Sequence, residues 1–237
     1  MKMSAASQGR ALDGPSSQEF TGSAGIAAHV GAAIRASPAI REPWPHWHVS
    51  ATFPADVLGE LIKLPLNPAL AGGLSGRREY HNESRIYFDG IKMARFSVMR
   101  RIAEAMQSPA VVSAVHKAFA APIENAFLRI EYALDTDGFW LEPHTDIGPK
   151  KFTCFVYLDG ADDLGTDLYA DPQIFAGRVA FMPNSALAFV PGENTWHGFA
   201  PRPIAGVRRS LIINYVDTEW RAREQLPFPD TPVRLAR

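Results

Sequence analysis

The stretch AFLRIEYAL, residues 126–134, begins a part of the chain that consists of short β-type runs. Further runs rich in apolar, β-branched and aromatic residues follow, and turns containing Asp, Gly, Pro and Asn separate them: KKFTCFVYLD at 150–159, DLYA at 167–170, GRVAFM at 177–182, ALAFV at 186–190 and RRSLIINYV at 208–216. This pattern predicts seven or eight strands. Residues from about 126 to 216 are therefore expected to form a β-sandwich or barrel.

Ahead of these strands the apolar residues recur with a helical period. One helix is predicted to begin at Pro54, with an apolar face made of Val57, Leu58, Leu61 and Ile62. Two more are predicted on either side of Pro109, with the apolar stripes Phe96, Met99, Ile102 and Met106, and Val111, Val115 and Phe119. The fold is thus expected to be mainly β, supported by helices between about residues 54 and 120.

The N-terminal segment, residues 1–40, is predicted to be flexible or poorly ordered. Residues 1–23 are rich in Ser, Ala and Gly and lack the large apolar groups that would offset the entropy of ordering. Ile26, Val30 and Ile34 allow a short helix, although two glycines weaken that pattern. Residues 41–237 are expected to form a single domain that opens with a strand in PWPHWHVSATF, residues 43–53.

The composition excludes several classes of partner. With 24 basic and 25 acidic residues the formal net charge is −1, so the chain has no basic field that would attract nucleic acid or an anionic membrane surface. Cys154 is the only cysteine, which rules out an intrachain disulfide and favours a reducing compartment. No run approaches the roughly 20 apolar residues of a membrane span. These features, and the absence of a secretory leader pattern, predict a soluble cytoplasmic protein.

The segment LEPHTDIGPKK, residues 141–151, contains the triplet of His144, Thr145 and Asp146. In a strand, residues two apart point the same way, so the imidazole and the carboxylate could meet at one point. By itself the triplet is more typical of a solvated turn than of a metal site. His197 follows Asp146 by 51 residues, however, and Arg208 lies 11 residues beyond His197.

The run RRSLIINYV places Arg208 and Ser210 on one strand face and Leu211, Ile213 and Tyr215 on the other. With these residues the sequence resembles the Fe(II)- and 2-oxoglutarate-dependent oxygenases, whose signature is His-x-Asp, a distal His about fifty residues on, and Arg-x-Ser about ten beyond. The resemblance covers about residues 126–216 and implies a double-stranded β-helix core, a distorted jelly roll of the cupin type.

The resemblance also implies a cofactor set. His144, Asp146 and His197 are the implied iron ligands, because two imidazoles and one carboxylate hold one face of Fe(II) and leave the other positions to 2-oxoglutarate and O2. Arg208 is the implied partner of the far C5 carboxylate, since a guanidinium can engage both carboxylate oxygens, and Ser210 is a second donor.

Two tyrosines are further candidates for contact with the cosubstrate. Family members with a tyrosine at the position that matches Tyr157 use its hydroxyl to bind the C5 carboxylate, and simple aromatic packing is the alternative for this side chain. Tyr132, on the run just ahead of the metal motif, is the other candidate. Strand alternation turns Arg209 away from Arg208, which favours a surface position for Arg209.

The implied activity is hydroxylation of an unactivated C–H bond of a small molecule, with release of succinate and CO2. A prolyl or other protein-residue hydroxylase is one alternative, and a non-catalytic cupin-type metal or ligand-binding protein is another. Halogenation is disfavoured because the family's halogenases replace the carboxylate with a small residue, whereas Asp146 is intact. Substrate identity, desaturation or cyclisation in place of hydroxylation, and the oligomeric state stay open.

Substrate contacts are expected from residues beside the metal motif and from one loop. Trp140 and Glu142 share the phase of His144 if Pro143 does not interrupt the strand. The polar loop RREYHNESR, residues 77–85, includes His81 and ends at Arg85, and either a substrate contact or a solvated loop fits it.

The remaining histidines are given structural roles. His46 and His48 lie two apart and could chelate a metal, but no third ligand follows them at a helpful spacing. We expect both to be surface imidazoles on a partly buried strand. His29 and His116 have no partner in the sequence pattern and are also expected to be structural.

Overall fold

The computed structural model describes residues 20–68, 76–77 and 85–236. The helices within these residues are α1 Ser23–Ala36, α2 Ala55–Ile62, α3 Gly90–Arg95, α4 Ser97–Gln107 and α5 Pro109–Phe119. The strands are β1 Ala39–Ile40, β2 His46–Val49, β3 Arg85–Tyr87, β4 Phe127–Asp135, β5 Leu141–His144, β6 Lys150–Asp159, β7 Asp167–Asp171, β8 Ile174–Arg178, β9 Ala186–Phe189, β10 His197–Phe199 and β11 Arg208–Val216. Short 3-10 helices lie at Asp162–Leu164 and Arg223–Gln225.

The strands form two antiparallel sheets. The larger sheet has the order β1-β2-β9-β6-β11-β4-β3, and the smaller one has the order β5-β10-β7-β8. Strand β11 lies between β6 and β4 and pairs with β4 along its whole length, from Arg208 opposite Asp135 to Val216 opposite Phe127. Eight strands follow residue 126, which confirms the predicted seven or eight, but the run at 177–182 contributes only Gly177 and Arg178, to β8.

The two faces of the larger sheet pack against different layers. On the outer face Leu211, Ile213 and Tyr215 are buried in the same core as the helices. On the inner face Tyr157 and Phe189 pack with Leu168 and Phe199 of the smaller sheet. Because successive strand residues point to opposite faces, the residues that alternate with the outer core of β11 lie between the two sheets.

Helix α1 corrects the predicted boundary of the folded body. Ile26, Val30 and Ile34 are buried along this helix, which packs against α4 and α5. Residues 23–36 therefore belong to the folded domain and are not a flexible segment, whereas residues 1–19 lie outside the described part of the chain. The apolar contacts outweigh the cost of the two helical glycines, which is about 1 kcal/mol each.

The predicted supporting helices are confirmed. Pro54 precedes α2 as its N-cap, and Pro109 stands in the first turn of α5, where a missing N–H costs nothing. Ser108 caps α5 by accepting a hydrogen bond from the Val111 N–H. Within the described ranges, no helix has the length and apolar character to cross a membrane.

The central position of β11 makes its outer face a sensitive place for stability. Ile213 is 1% exposed, and Ile213→Ala should lower the free energy of unfolding by about 2–5 kcal/mol, because the lost methyl groups leave a cavity. Ile174→Ala is the matched control, since Ile174 is 57% exposed, and its effect should stay within about 0.5 kcal/mol. Urea unfolding followed by circular dichroism measures both; equal losses would contradict the packing of this face.

Candidate functional site

A cavity of about 620 Å³ lies between the two sheets. Side chains from β3, β4, β6 and β11 of the larger sheet line it, together with side chains from β5 and β10 of the smaller sheet. The predicted site residues among its lining are His144, Asp146, His197, Arg208, Ser210, Glu142 and Arg85. The fold therefore brings together two parts of the chain that are separated by more than fifty residues.

The two histidines of the motif are neighbours on adjacent strands of the smaller sheet. Strands β5 and β10 pair so that His144 lies opposite His197, and the two ring centroids are 4.5 Å apart. His144 Nδ1 lies 2.8 Å from the Glu142 carbonyl oxygen, and His197 Nδ1 lies 2.9 Å from that of Thr195. Since a carbonyl only accepts, each Nδ1 donates, and each Nε2 of a neutral ring keeps its lone pair.

The charge state of His197 fits the role of a ligand. Burial, and to a lesser extent the neighbouring His144 ring, lowers the pKa of His197 to about 4, against the opposing effect of Asp146. The His197 ring is therefore neutral near pH 7, which is the form of imidazole that binds metals.

The Asp146 carboxylate is buried and ionised. Its Oδ1 accepts a hydrogen bond from Lys150 Nζ at 2.5 Å, and its Oδ2 accepts one from Thr153 Oγ1 at 2.7 Å. Burial alone would raise the pKa of this carboxyl group, but the charge of Lys150, the proximity of His197 and the two hydrogen bonds together hold it well below its usual range. Lys150 and Thr153 therefore occupy both oxygens of the third predicted ligand.

The three predicted metal ligands do not all converge on one point. Among the residues that the structure describes, no three His, Cys, Asp or Glu side chains are grouped closely enough to hold a metal ion. The two imidazoles already lie together, whereas the Asp146 carboxylate is engaged in its ion pair with Lys150. Metal binding by this set consequently requires the carboxylate to exchange one cation for another.

A directional chain of hydrogen bonds supports Asp146 from behind. Thr153 donates to the carboxylate, Asn214 Nδ2 donates to Thr153 Oγ1 at 2.9 Å, and Arg129 Nη1 donates to Asn214 Oδ1 at 3.1 Å. Arg129 also donates to Glu131 Oε2 at 2.6 Å. Every donor in this chain points toward the carboxylate, so the chain favours its ionised form.

The Arg129 guanidinium is itself held firmly in the cavity wall. It lies between the rings of Tyr87 and Trp220, with its central carbon 4.9 Å and 4.7 Å from their centroids. Its Nε donates to Gln225 Oε1 at 2.8 Å. These contacts anchor the far end of the chain that leads to Asp146.

Arg208 and Ser210 both line the cavity, as the strand alternation predicted. Arg208 Nε donates to the Leu164 carbonyl oxygen at 2.7 Å, and Nη1 donates to Asp135 Oδ2 at 2.6 Å. Arg209 turns to the other side and pairs with the half-exposed Asp159. The geometry thus distinguishes the two adjacent arginines in the predicted way.

Arg85 lies at the Arg208 end of the cavity. Its Nη1 donates to Asp135 Oδ1 at 2.6 Å, so Asp135 bridges Arg85 and Arg208. Arg85 also lines the cavity, so the substrate contact predicted for it stays a prediction. His81 of the same loop falls outside the described residues.

The two predicted tyrosine contacts with the cosubstrate are not supported. Tyr132 faces the helical core, where its hydroxyl donates to the Leu61 carbonyl oxygen at 3.0 Å. Tyr157 points inward, but its hydroxyl donates to Thr166 Oγ1 at 2.8 Å, and Thr166 rather than Tyr157 lines the cavity. Burial raises the pKa of both hydroxyl groups.

Of the two candidate substrate contacts beside the motif, one lines the cavity and the other does not. Glu142 lies at the cavity mouth, 3.8 Å from Arg77 Nε, and is about half exposed. Trp140 does not line the cavity, because its ring packs directly over the backbone of Gly76. The predicted role of Trp140 as a substrate contact is therefore not supported.

Three described histidines outside the motif have contacts of a structural kind, and one of them corrects a prediction. His46 is buried, not at the surface, and its Nδ1 donates to the Trp44 carbonyl oxygen at 2.8 Å. His116 Nδ1 lies 2.8 Å from the Ala121 carbonyl oxygen, and His29 Nε2 lies 2.7 Å from that of Ala51. These contacts agree with structural roles for both.

Several site residues were missed by reading the sequence. Strand β4 carries Arg129, Glu131 and Asp135 in one phase, while its other phase is apolar. Charged residues in one phase of a strand are a signal that this face lines a polar cavity. Lys150 and Thr153 carry no comparable signal, because a lysine at a strand start and a threonine within a strand are common.

Comparisons with solved structures identify the fold. The chain is similar to a prolyl hydroxylase in complex with a hypoxia inducible factor peptide fragment from Trichoplax adhaerens, with 12% identity, a TM-score of 0.52, and coverage of 83% of this chain and 91% of that one. The chain is also similar to a Pseudomonas putida prolyl-4-hydroxylase, with 16% identity, a TM-score of 0.50, and coverage of 81% of this chain and 98% of that one. For a prolyl 4-hydroxylase from Phytophthora capsici the identity is 12%, the TM-score is 0.53, and the coverage is 88% of this chain and 70% of that one.

No protein-family profile and no curated protein matches the sequence. Identities of 12–16% with the solved structures show the fold, which includes the helices ahead of the strands. The predicted mainly β fold with a double-stranded β-helix core is therefore confirmed.

The hydrogen-bond chain behind Asp146 yields a test that needs no knowledge of the function. Thr153→Val keeps the shape but removes the hydroxyl, which leaves Asp146 Oδ2 and the Asn214 amide without that partner. We expect the free energy of unfolding to fall by about 1–3 kcal/mol. Thr153→Ser keeps the hydroxyl and should lose clearly less. Urea unfolding at pH 7 compares the two, and a larger loss in the serine variant would contradict the network.

Proposed function

We propose that this chain is an Fe(II)- and 2-oxoglutarate-dependent dioxygenase that hydroxylates an unactivated C–H bond of a small molecule. The observation that carries the proposal is the pair His144 and His197, whose Nδ1 atoms are both occupied by backbone carbonyls while both rings line one cavity with Asp146 and Arg208. The shared fold of the prolyl hydroxylases supports the oxygenase part of this proposal, and the choice of a small molecule does not rest on it.

The donor set fits ferrous iron. Two imidazoles and one carboxylate are the protein ligands that non-haem Fe(II) oxygenases use, and the remaining positions serve cosubstrate and O2. When bound, iron would couple the decarboxylation of 2-oxoglutarate to succinate and CO2 with insertion of the second oxygen atom of O2 into a substrate C–H bond. The hydrogen-bond chain from Arg129 through Asn214 and Thr153 would keep Asp146 ionised and oriented for this role.

The cosubstrate would lie between the metal ligands and Arg208. Thr166, Ser210 and Phe199 line this part of the cavity. Arg208 Nη2 has no hydrogen-bond partner among the described residues, so it is available to the far carboxylate. A guanidinium whose Nε and Nη1 are held by Leu164 and Asp135 is preorganised for that contact.

A prolyl or other protein-residue hydroxylase is the second candidate. Three solved prolyl hydroxylases share the fold, and one of them was solved with a peptide fragment. The choice between the two candidates depends on the mouth of the cavity, where Glu142 and Arg77 lie. Succinate production in the presence of metabolite mixtures or proline-containing peptides would separate them.

The proposed function predicts a specific optical signal. Anaerobic addition of Fe(II) and 2-oxoglutarate should produce the visible charge-transfer band of an iron-bound 2-oxo acid. His144→Ala should abolish the band because one ligand is lost, whereas His29→Ala, far from the cavity, should keep it. A wild-type protein that shows neither this band nor slow succinate release in air would be a cupin-type binding protein or another non-oxygenase.

Lys150 provides a second prediction about the metal. Its ammonium and a divalent cation compete for the Asp146 carboxylate, so Lys150→Met should tighten binding of Mn(II) alone by about 10-fold, or about 1.4 kcal/mol. Lys151→Met is the matched control, because Lys151 pairs with Asp217 instead, and should change the affinity little. Titration followed by electron paramagnetic resonance measures free Mn(II). Unchanged or weaker binding by Lys150→Met would show that the two cations do not compete.

A further inference from the structure

Three buried charges meet at the Arg208 end of the cavity. Asp135 accepts a hydrogen bond from Arg85 Nη1 on one oxygen and from Arg208 Nη1 on the other, both at 2.6 Å. The side chains of Arg85, Asp135 and Arg208 are 1%, 0% and 8% exposed. This cluster of two guanidiniums and one carboxylate is therefore almost fully removed from water.

The cluster carries one positive charge that no described residue neutralises. Asp135 is shared by two arginines, so it balances only one of them. The ring of Phe199 lies between Arg208 and a second group, in which Asp167 pairs with both Arg178 and Arg202. Asp167 therefore has no charge left to balance the first cluster. A buried cation without a counter-charge is unfavourable, and a bound anion would relieve that cost.

An unsatisfied donor in the same cluster points independently to a ligand. Arg85 Nε is buried and has no hydrogen-bond partner among the residues that the structure describes. Buried donors without partners are rare in folded proteins and call for an explanation. Arg85 lines the cavity, so a ligand at this end would lie against its guanidinium.

The sheet places the donor groups side by side at this end of the cavity. Arg85 on β3 and Ser210 on β11 both lie opposite Ala133 of β4, which makes the three residues one row across the sheet. Arg208 and Asp135 form the adjacent row. Ala133 is fully buried and does not line the cavity, whereas Arg85, Ser210 and Arg208 do. A carboxylate at this end of the cavity would be flanked by those three side chains.

We propose that Arg85 is a second cationic partner for the far carboxylate of 2-oxoglutarate and that Asp135 holds the two guanidiniums in place. This inference rests on the proposed function and deepens it. With Arg208 alone, the Arg208–Asp135 pair would be neutral, and the site would attract a carboxylate only weakly. Arg85 supplies the net positive charge and so selects a dicarboxylic oxo acid over a monocarboxylic one.

The test compares two oxo acids, of which only 2-oxoglutarate has a far carboxylate. Anaerobic Fe(II) protein is titrated with 2-oxoglutarate or with pyruvate, and the charge-transfer band gives each dissociation constant. Arg85→Met should raise the dissociation constant of 2-oxoglutarate by about 10- to 100-fold, the range expected for loss of a charge-assisted hydrogen bond. The dissociation constant of pyruvate should stay within about 3-fold of the wild-type value. Arg85→Lys keeps the charge and should lose less affinity for 2-oxoglutarate than Arg85→Met.

Two further variants calibrate the result. Arg208→Met should follow the pattern of Arg85→Met, whereas Arg209→Met, on the opposite face of β11, should bind both acids as the wild type does. Thermal unfolding confirms that each variant is folded.

Two outcomes would overturn the inference. Binding of 2-oxoglutarate by Arg85→Met with the affinity of the wild type would show that Arg85 does not contact the far carboxylate. Equal weakening of 2-oxoglutarate and pyruvate would assign Arg85 a role in the general integrity of the site. A wild-type protein that gives no band with either acid would instead refute the proposed function, and the inference with it.

Discussion

The register of β11 between β4 and β6 is the constraint on which the rest of the structure depends. In this register Arg208 and Ser210 face the cavity, while Leu211 and Ile213 face the helical core. A slip of one residue would exchange these faces, burying a guanidinium among the helices and exposing isoleucine to the cavity. The apolar outer face and the anchored charges of the inner face therefore specify the same register, and the position of Arg208 in the cavity follows from it.

Ion pairs rather than isolated charges build the inner face. Arg129 is paired with Glu131 and stacked between two aromatic rings, and Arg208 is paired with Asp135. Such buried pairs contribute little net stability because desolvation offsets their attraction, but they orient the groups that line the cavity. Asp146 follows the same rule, with Lys150 as its partner. A metal site made from these residues consequently involves a change of partner at one carboxylate, while the two imidazoles are already oriented by their own backbone.

The helical layer and the site were predictable to different degrees. Apolar periodicity identified helices α2, α4 and α5, because their stripes are wide, and proline marks the starts of α2 and α5. Helix α1 was underestimated, since its composition is dominated by small residues and only the contacts with α4 and α5 reveal what Ile26 and Val30 bury. Tyr157 was placed on the correct face, yet Thr166, from the segment before β7, lies between its hydroxyl and the cavity. No pattern within β6 contains that information.

The sequence by itself determined the order of elements, the alternation of faces on the long strands, and the spacing of His144, Asp146, His197 and Arg208. These are local properties, set by the two-residue period of a strand and by residue type. Only the tertiary structure decided that Asp135 joins two arginines from different strands, that Lys150 holds Asp146, and which tyrosine hydroxyls are used elsewhere. Those facts depend on distances between segments far apart in the chain, and such distances arise only when the sheets pair and pack.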